Sequence, residues 1–130
     1  MKPNMTVVAM LAISLLSGCF GSITKEKTNT IDVEQRQVRD GTVYEANDPE
    51  PYTGVVTSFY ENGQIATEEV YVDGKKQGKS LGWHENGQQK LEVNYVDGKE
   101  QGMAITWDKN GQKTLELNFV DGEIVPQTGP

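Results

Sequence analysis

The only histidine of the chain, His84, stands directly before Glu85, with Tyr60 and Asp108 at the same offset of 24 residues on either side. A histidine beside carboxylates can serve as an acid, a base or a metal ligand, but each role needs a second group within bonding reach. If these positions lie on alternate strands of one sheet they are about 9–10 Å apart, too far to share one ion. His84 is therefore expected to be a solvated surface residue. Asp73, Asp97 and Asp121 each precede a glycine. Calcium would need six to eight oxygens converging on one point, whereas Asp-Gly is sufficiently explained as turn chemistry. Glu68, Glu92 and Glu116 share the same spacing. Glycoside cleavage would require two carboxyl groups in different environments, and nothing in the sequence separates these three. No catalytic residue, no metal site and no cofactor is expected. Phe59, Tyr71, Trp83, Tyr95, Trp107 and Phe119 form a regular aromatic set and the candidate binding face. They can stack on a carbohydrate or peptide, or they can be the core. The core reading is preferred, because a thin sheet has little else to fold around.

The elements that place these residues follow from composition. The chain has 130 residues with 12 Lys+Arg against 19 Asp+Glu, a net charge of −7. That is room for one domain. No basic stripe is present, which excludes the electrostatic footprint of a nucleic-acid partner. One cysteine excludes a disulfide framework and a four-cysteine zinc site. Fourteen glycines point to strands joined by tight turns.

The N-terminus reads as an address. Lys2 precedes an apolar stretch from Met5 to Leu16, too short for a spanning helix of about 20 residues and suited to a secretion signal. Leu16-Ser17-Gly18-Cys19 then resembles the lipobox of bacterial lipoproteins. The resemblance implies cleavage before Cys19 and acylation of its thiol and new amino terminus, including a palmitoyl-type chain, which would hold the protein on a membrane. Phe20 instead of Asp after the cysteine implies the outer membrane, on its periplasmic or surface face. Loss of Lys2 with the signal leaves 11 basic against 19 acidic residues, a net charge of −8. Residues 1–18 are thus expected as a signal peptide, and 19–32 as a lipidated N-terminus and polar tether.

From residue 33 to 125 a repeat governs the pattern. Gly54, Gly78 and Gly102 are spaced by 24, as are Asn62-Gly63, Asn86-Gly87 and Asn110-Gly111, and Asp73-Gly74, Asp97-Gly98 and Asp121-Gly122. Asn-Gly and Asp-Gly between β-rich runs are strong hairpin signals. The fold class predicted is all-β, an antiparallel meander of hairpin repeats forming an elongated, curved single sheet. Apolar residues fall on odd numbers on both sides of every turn. Three-residue loops, a type I turn followed by a left-handed residue, would keep all of them on one face, pairing His84 with Gln88, Trp83 with Gln89, and Tyr95 with Lys99. One face carrying all six aromatics would exceed what a monomer leaves exposed, so it should be covered by curvature, a second copy, the N-terminal segment or a ligand. Val33–Tyr44 reads as a half-repeat around Arg39-Asp40-Gly41, followed by a proline-bearing insertion to Pro51. Pro126 replaces the next repeat glycine, leaving 126–130 as a tail.

Tyr60-Glu61-Asn62-Gly63-Gln64, Tyr71-Val72-Asp73-Gly74-Lys75-Lys76-Gln77-Gly78 and their copies, with the lead-in Pro51-Tyr52-Thr53-Gly54, resemble the MORN repeat variant of bacterial, YwqK-type antitoxin proteins. The resemblance covers Val38 to about Glu123. It implies hairpin arrays that bind or scaffold and carry no catalytic residues. The antitoxin label implies a cytoplasmic toxin partner, which the lipobox contradicts. The expectation is a lipid-anchored envelope module that binds another protein or itself. An immunity-type protein neutralising a toxin by binding is the alternative, and a glycan-binding module or envelope enzyme a further one.

Overall fold

The computed structural model describes residues 30–127; the expected signal peptide, Cys19, the tether up to residue 29 and residues 128–130 of the tail lie outside the described residues. The chain runs through β1 (Thr30–Asp32), a 3-10 turn (Val33–Gln35), β2 (Arg36–Arg39), β3 (Thr42–Glu45), β4 (Gly54–Phe59), β5 (Ile65–Val72), β6 (Lys75–Trp83), β7 (Gln89–Val96), β8 (Lys99–Glu100), β9 (Gly102–Trp107), β10 (Lys113–Val120) and β11 (Glu123–Val125). The main sheet has the order β1-β4-β5-β6-β7-β9-β10-β11, with β8 also on β7, and it does not close. The three repeats form the expected antiparallel meander. Two features depart from a single antiparallel sheet. Strand β1 pairs parallel to β4, and β2–β3 form a separate two-stranded sheet. The tether expected over 19–32 therefore gives way to ordered sheet at Thr30, where Ile31 is only 3 % exposed. Ile31 and Val33 in an otherwise polar run are too few to establish a periodicity from which burial can be read.

The Asn-Gly loops are the three-residue loops the parity required. The Gly87 amide donates to His84 O at 2.9 Å and the His84 amide to Gln88 O at 2.8 Å, with Gly87 at φ +85°. The same pair of bonds closes the loops after Tyr60 and Asp108. The Asp-Gly turns are different, and the expectation for them is corrected. Asp97 and Gly98 both have positive φ (51° and 82°), Val96 pairs with Lys99, and Tyr95 pairs with Glu100 instead of Lys99. These are two-residue type I′ turns, whose twist matches that of the flanking strands; Asp tolerates the left-handed conformation at small cost.

The single apolar face is also corrected. In each repeat one residue of the return strand is unpaired: Phe59 pairs with Ile65 but Ser58 with Thr67, Trp83 with Gln89 but Gly82 with Leu91, Trp107 with Lys113 but Thr106 with Leu115. Ala66, Lys90 and Thr114 are thus β-bulge residues, one in each Asn-Gly hairpin; the further shift between Glu69↔Ser80 and Tyr71↔Lys76 skips two residues and leaves the facing unchanged. One extra residue reverses the facing of everything after it. The six aromatics divide into two rows on opposite sides. Phe59, Trp83 and Trp107 share one side with Leu81 and Ile105, the tryptophan face. Tyr71, Tyr95 and Phe119 share the other with Leu91, Val93, Leu115 and Leu117, the tyrosine face. The glycines at 24-residue spacing sit opposite this second row: Gly54 against Tyr71, Gly78 against Tyr95, Gly102 against Phe119. An aromatic ring can lie over the surface that a strand glycine leaves bare.

The core sits on the tyrosine face of the first repeat. Ile31, Val43, Tyr52, Val56 and Tyr71 are buried together, with Val33 against them; Val56 is 2 % exposed. The β2–β3 hairpin supplies the lid. The Val43 amide donates to Gly74 O at 2.9 Å, the Tyr52 amide to Val43 O at 2.8 Å and the Gly74 amide to Tyr52 O at 2.8 Å. Burial and, after it, the negative charge of Glu45 push the Tyr52 phenol up to about 12. The folded state therefore resists ionisation that the unfolded chain undergoes near pH 10. Stability from this group is complete below pH 10 and falls by about 2–3 kcal/mol as pH rises to about 12. Urea titrations across that window are expected to show the loss in the wild type and a shallower loss in Tyr52→Phe; equal slopes would refute it.

Candidate functional site

On the tryptophan face Phe59, Trp83 and Trp107 stand on alternate strands, about 9–10 Å apart. Phe59 is 41 % exposed and the two tryptophans are half-buried. Pairing sets Thr57, Glu68, Leu81, Glu92, Ile105 and Glu116 in one row across the sheet beside them. Carboxylates thus alternate with apolar side chains, which spaces their charges two strands apart. Lys79 meets Glu92 at 2.8 Å and Lys113 pairs with Glu116. The Lys79 hydrogen bond holds the Glu92 carboxyl below its usual range, against the opposing effect of burial. Glu68 has no ionic or hydrogen-bond partner among the described residues, and burial raises its carboxyl.

The tyrosine face has three zones. The first is the core under the β2–β3 hairpin. Next comes a polar cluster: Glu69 accepts from Lys76 at 2.6 Å, from Arg36 at 3.4 Å and from the Tyr71 hydroxyl at 2.9 Å. Burial lowers the Lys76 ammonium, but the hydrogen bond and charge of Glu69 more than offset it and leave it above the ordinary lysine range. Lys76 also lies over the Tyr95 ring at 4.8 Å, and burial raises the Tyr95 phenol. The third zone is an apolar concavity of about 200 Å³ over β9, walled by Leu91, Val93 and Tyr95 on one side and Leu117 and Phe119 on the other, with Ala104 on its floor.

His84 is not simply solvated, as its sequence context suggests. Its Nε2 lies 2.8 Å from Trp107 O and is part-buried. Tyr60, its repeat equivalent, donates its hydroxyl to Trp83 O at 2.7 Å. Asn62 and Asn86 donate one step further along, to Glu85 O and Lys109 O. Side chains at the first two Asn-Gly loops thereby hold the backbone of the loop that follows. A matching ladder runs along the Asp-Gly turns: the amides of Asp73, Asp97 and Asp121 donate to the side chains of Thr53, Gln77 and Gln101. His84→Ala and Tyr60→Phe are each expected to cost about 1 kcal/mol in urea unfolding, the net worth of one hydrogen bond to a part-buried carbonyl. Unchanged midpoints would mean that water replaces these rungs without loss.

Among the described residues no group of three or more His, Cys, Asp or Glu side chains converges as a metal site would require. Asp73, Asp97 and Asp121 are occupied as left-handed turn residues. Cys19 lies outside the described residues. The candidate aromatic face is therefore two half-sets, Phe59–Trp83–Trp107 and Tyr71–Tyr95–Phe119, with Tyr71 only 3 % exposed and committed to the core. The concavity over β9 was not anticipated, because it depends on the bulges that turn Leu91, Val93, Leu115 and Leu117 away from the tryptophans.

The family of MORN repeat variants matches residues 52–73 and 76–97. The two segments are offset by the same 24 residues as the glycines and turns, and 100–121 repeats their pattern. Repeats of this kind are non-catalytic modules that generally bind proteins or membranes. Comparison with curated proteins finds no match, and neither does comparison with solved structures.

Proposed function

We propose that this chain is a lipoprotein of the cell envelope, held by acyl chains on Cys19 at the periplasmic or surface face of the outer membrane, whose repeat sheet is a non-catalytic module binding another protein. The observation that carries the reading is the junction of Leu16-Ser17-Gly18-Cys19, behind an apolar segment and ahead of a polar one, with repeats of a binding type. Several acyl chains at about 0.8 kcal/mol per buried methylene make such an anchor nearly permanent. The sheet does not close, and it exposes Phe59 on one side and Leu115 on the other to a partner.

Mass spectrometry of the protein from membranes is expected to find Cys19 as an acylated N-terminus, and Cys19→Ala to abolish membrane retention. An unmodified Cys19 in membrane-derived protein would refute the anchor. Crosslinking in intact cells is expected to capture a protein partner; a secreted toxin as that partner would make the module an immunity protein.

A further inference from the structure

The molecule contains its own template for what the tyrosine face accepts. In the first repeat, Val43 of β3 is buried in one cluster with Val56 and Tyr71, and its amide donates to Gly74 O. The repeat offset carries Val56 to Ala104, Tyr71 to Phe119, Tyr52 to Glu100 and Gly74 to Gly122. One bond of the template recurs there: the Gly122 amide donates to Glu100 O at 2.9 Å, as the Gly74 amide does to Tyr52 O. The other does not. No backbone amide among the described residues donates to Gly122 O. A methyl group built on Gly74 would overlap Thr42 and lie 2.8 Å from Val43 O, whereas on Gly122 its nearest neighbour is the Glu100 carboxylate at 3.6 Å. The space that β3 fills in the first repeat is open in the third. In the middle repeat Lys76 closes it by lying over Tyr95.

We infer that the concavity over β9 is a docking site for an extended polypeptide segment of the protein partner, which places a β-branched aliphatic side chain over Ala104 and donates its amide to Gly122 O. This rests on the protein-binding function proposed above. The site lies on the same face as the internal one and uses repeat-equivalent atoms, two repeats along the array beyond Lys76. The volume, about 200 Å³, suits one or two aliphatic side chains and falls short of the roughly 300–1,000 Å³ of small-molecule pockets. Leu115, at 49 % exposed, extends the apolar wall to the concavity's edge. Glu100 on the rim favours a lysine or arginine next to the aliphatic residue, in keeping with the net charge of −7. Recognition of this type takes affinity from main-chain hydrogen bonds and specificity from a side-chain pocket.

The probe is a peptide copying residues 36–45, which carries Val43 and Arg39, titrated into the intact protein and followed by amide NMR shifts. Saturable shifts are expected at Ala104, Phe119 and Gly122. N-methylation of the peptide valine removes the donor and is expected to weaken binding about tenfold or more, as is Leu117→Asp in the protein. Absence of saturable shifts up to about 1 mM peptide, shifts centred elsewhere, or equal binding of the N-methylated peptide would overturn the site. Should Leu117→Asp impair folding, the N-methylated peptide decides alone. In intact cells, partner capture that survives Leu117→Asp overturns this site and spares the binding function; no capture by the wild-type protein overturns the binding function itself.

Discussion

Gly74→Ala is expected to lose about 3–4 kcal/mol of unfolding free energy, while Gly98→Ala, at the equivalent turn one repeat later, loses about 1–2 kcal/mol. The two glycines share their backbone state, φ +77° and +82°, so the cost of forcing a side chain into the left-handed region is common to both. Their surroundings differ. The new methyl at 74 would overlap Thr42 and press on Val43 O at 2.8 Å, whereas at 98 the nearest atom is Lys75 Cβ at 3.8 Å. Val43 cannot retreat cheaply, because its amide is bonded to Gly74 O and its carbonyl to the Tyr52 amide. Relief requires the β2–β3 hairpin to lift, exposing Val43, Tyr52 and Val56 together. Urea denaturation of the two variants measures the difference, and hydrogen exchange at the Val43 amide should accelerate only in Gly74→Ala. Equal losses would mean that the hairpin does not press on the turn.

Tyr71→Ala is expected to cost about 3–5 kcal/mol, the range for deleting a large aromatic from a core. Tyr95→Ala should cost about half as much or less, because its ring is only half-buried, with Lys76 lying over it. Tyr71 is buried in one cluster with Ile31, Val43, Tyr52 and Val56, and its hydroxyl donates to Glu69 at 2.9 Å. Tyr71→Phe separates the two contributions: about 1.5–3 kcal/mol for the hydroxyl bonded to a charged acceptor, the remainder for the ring. Glu69 keeps Lys76 and Arg36 in that variant, so no buried charge is left alone. If Tyr71→Ala and Tyr95→Ala destabilised equally, the core would be spread evenly along the array instead of concentrated at its N-terminal end.

The repeat itself was legible, because Asn-Gly and Asp-Gly at fixed spacing are local instructions. Asn86 accepts the Gln88 amide within its own loop, and Gly87 supplies the left-handed residue that the loop demands. His84 and Tyr60 were harder to assign, since their partners are carbonyl groups 23 residues away, and a carbonyl is present at every position of a chain. The lid was harder again: Val43 and Ile31 are single apolar residues whose burial depends on a parallel strand and a hairpin that fold back onto the first repeat.

Local chemistry by itself determined the strands, the Asn-Gly loops, the period and the segments in which the aromatics stand, since each of these is settled within a few residues. Which side each aromatic faces was decided by tertiary structure. A single unpaired residue at Ala66, Lys90 or Thr114 costs little locally, yet it reverses every side chain after it. Its presence depends on how two whole strands fit together, with glycines placed opposite rings and a hairpin laid over the first of them.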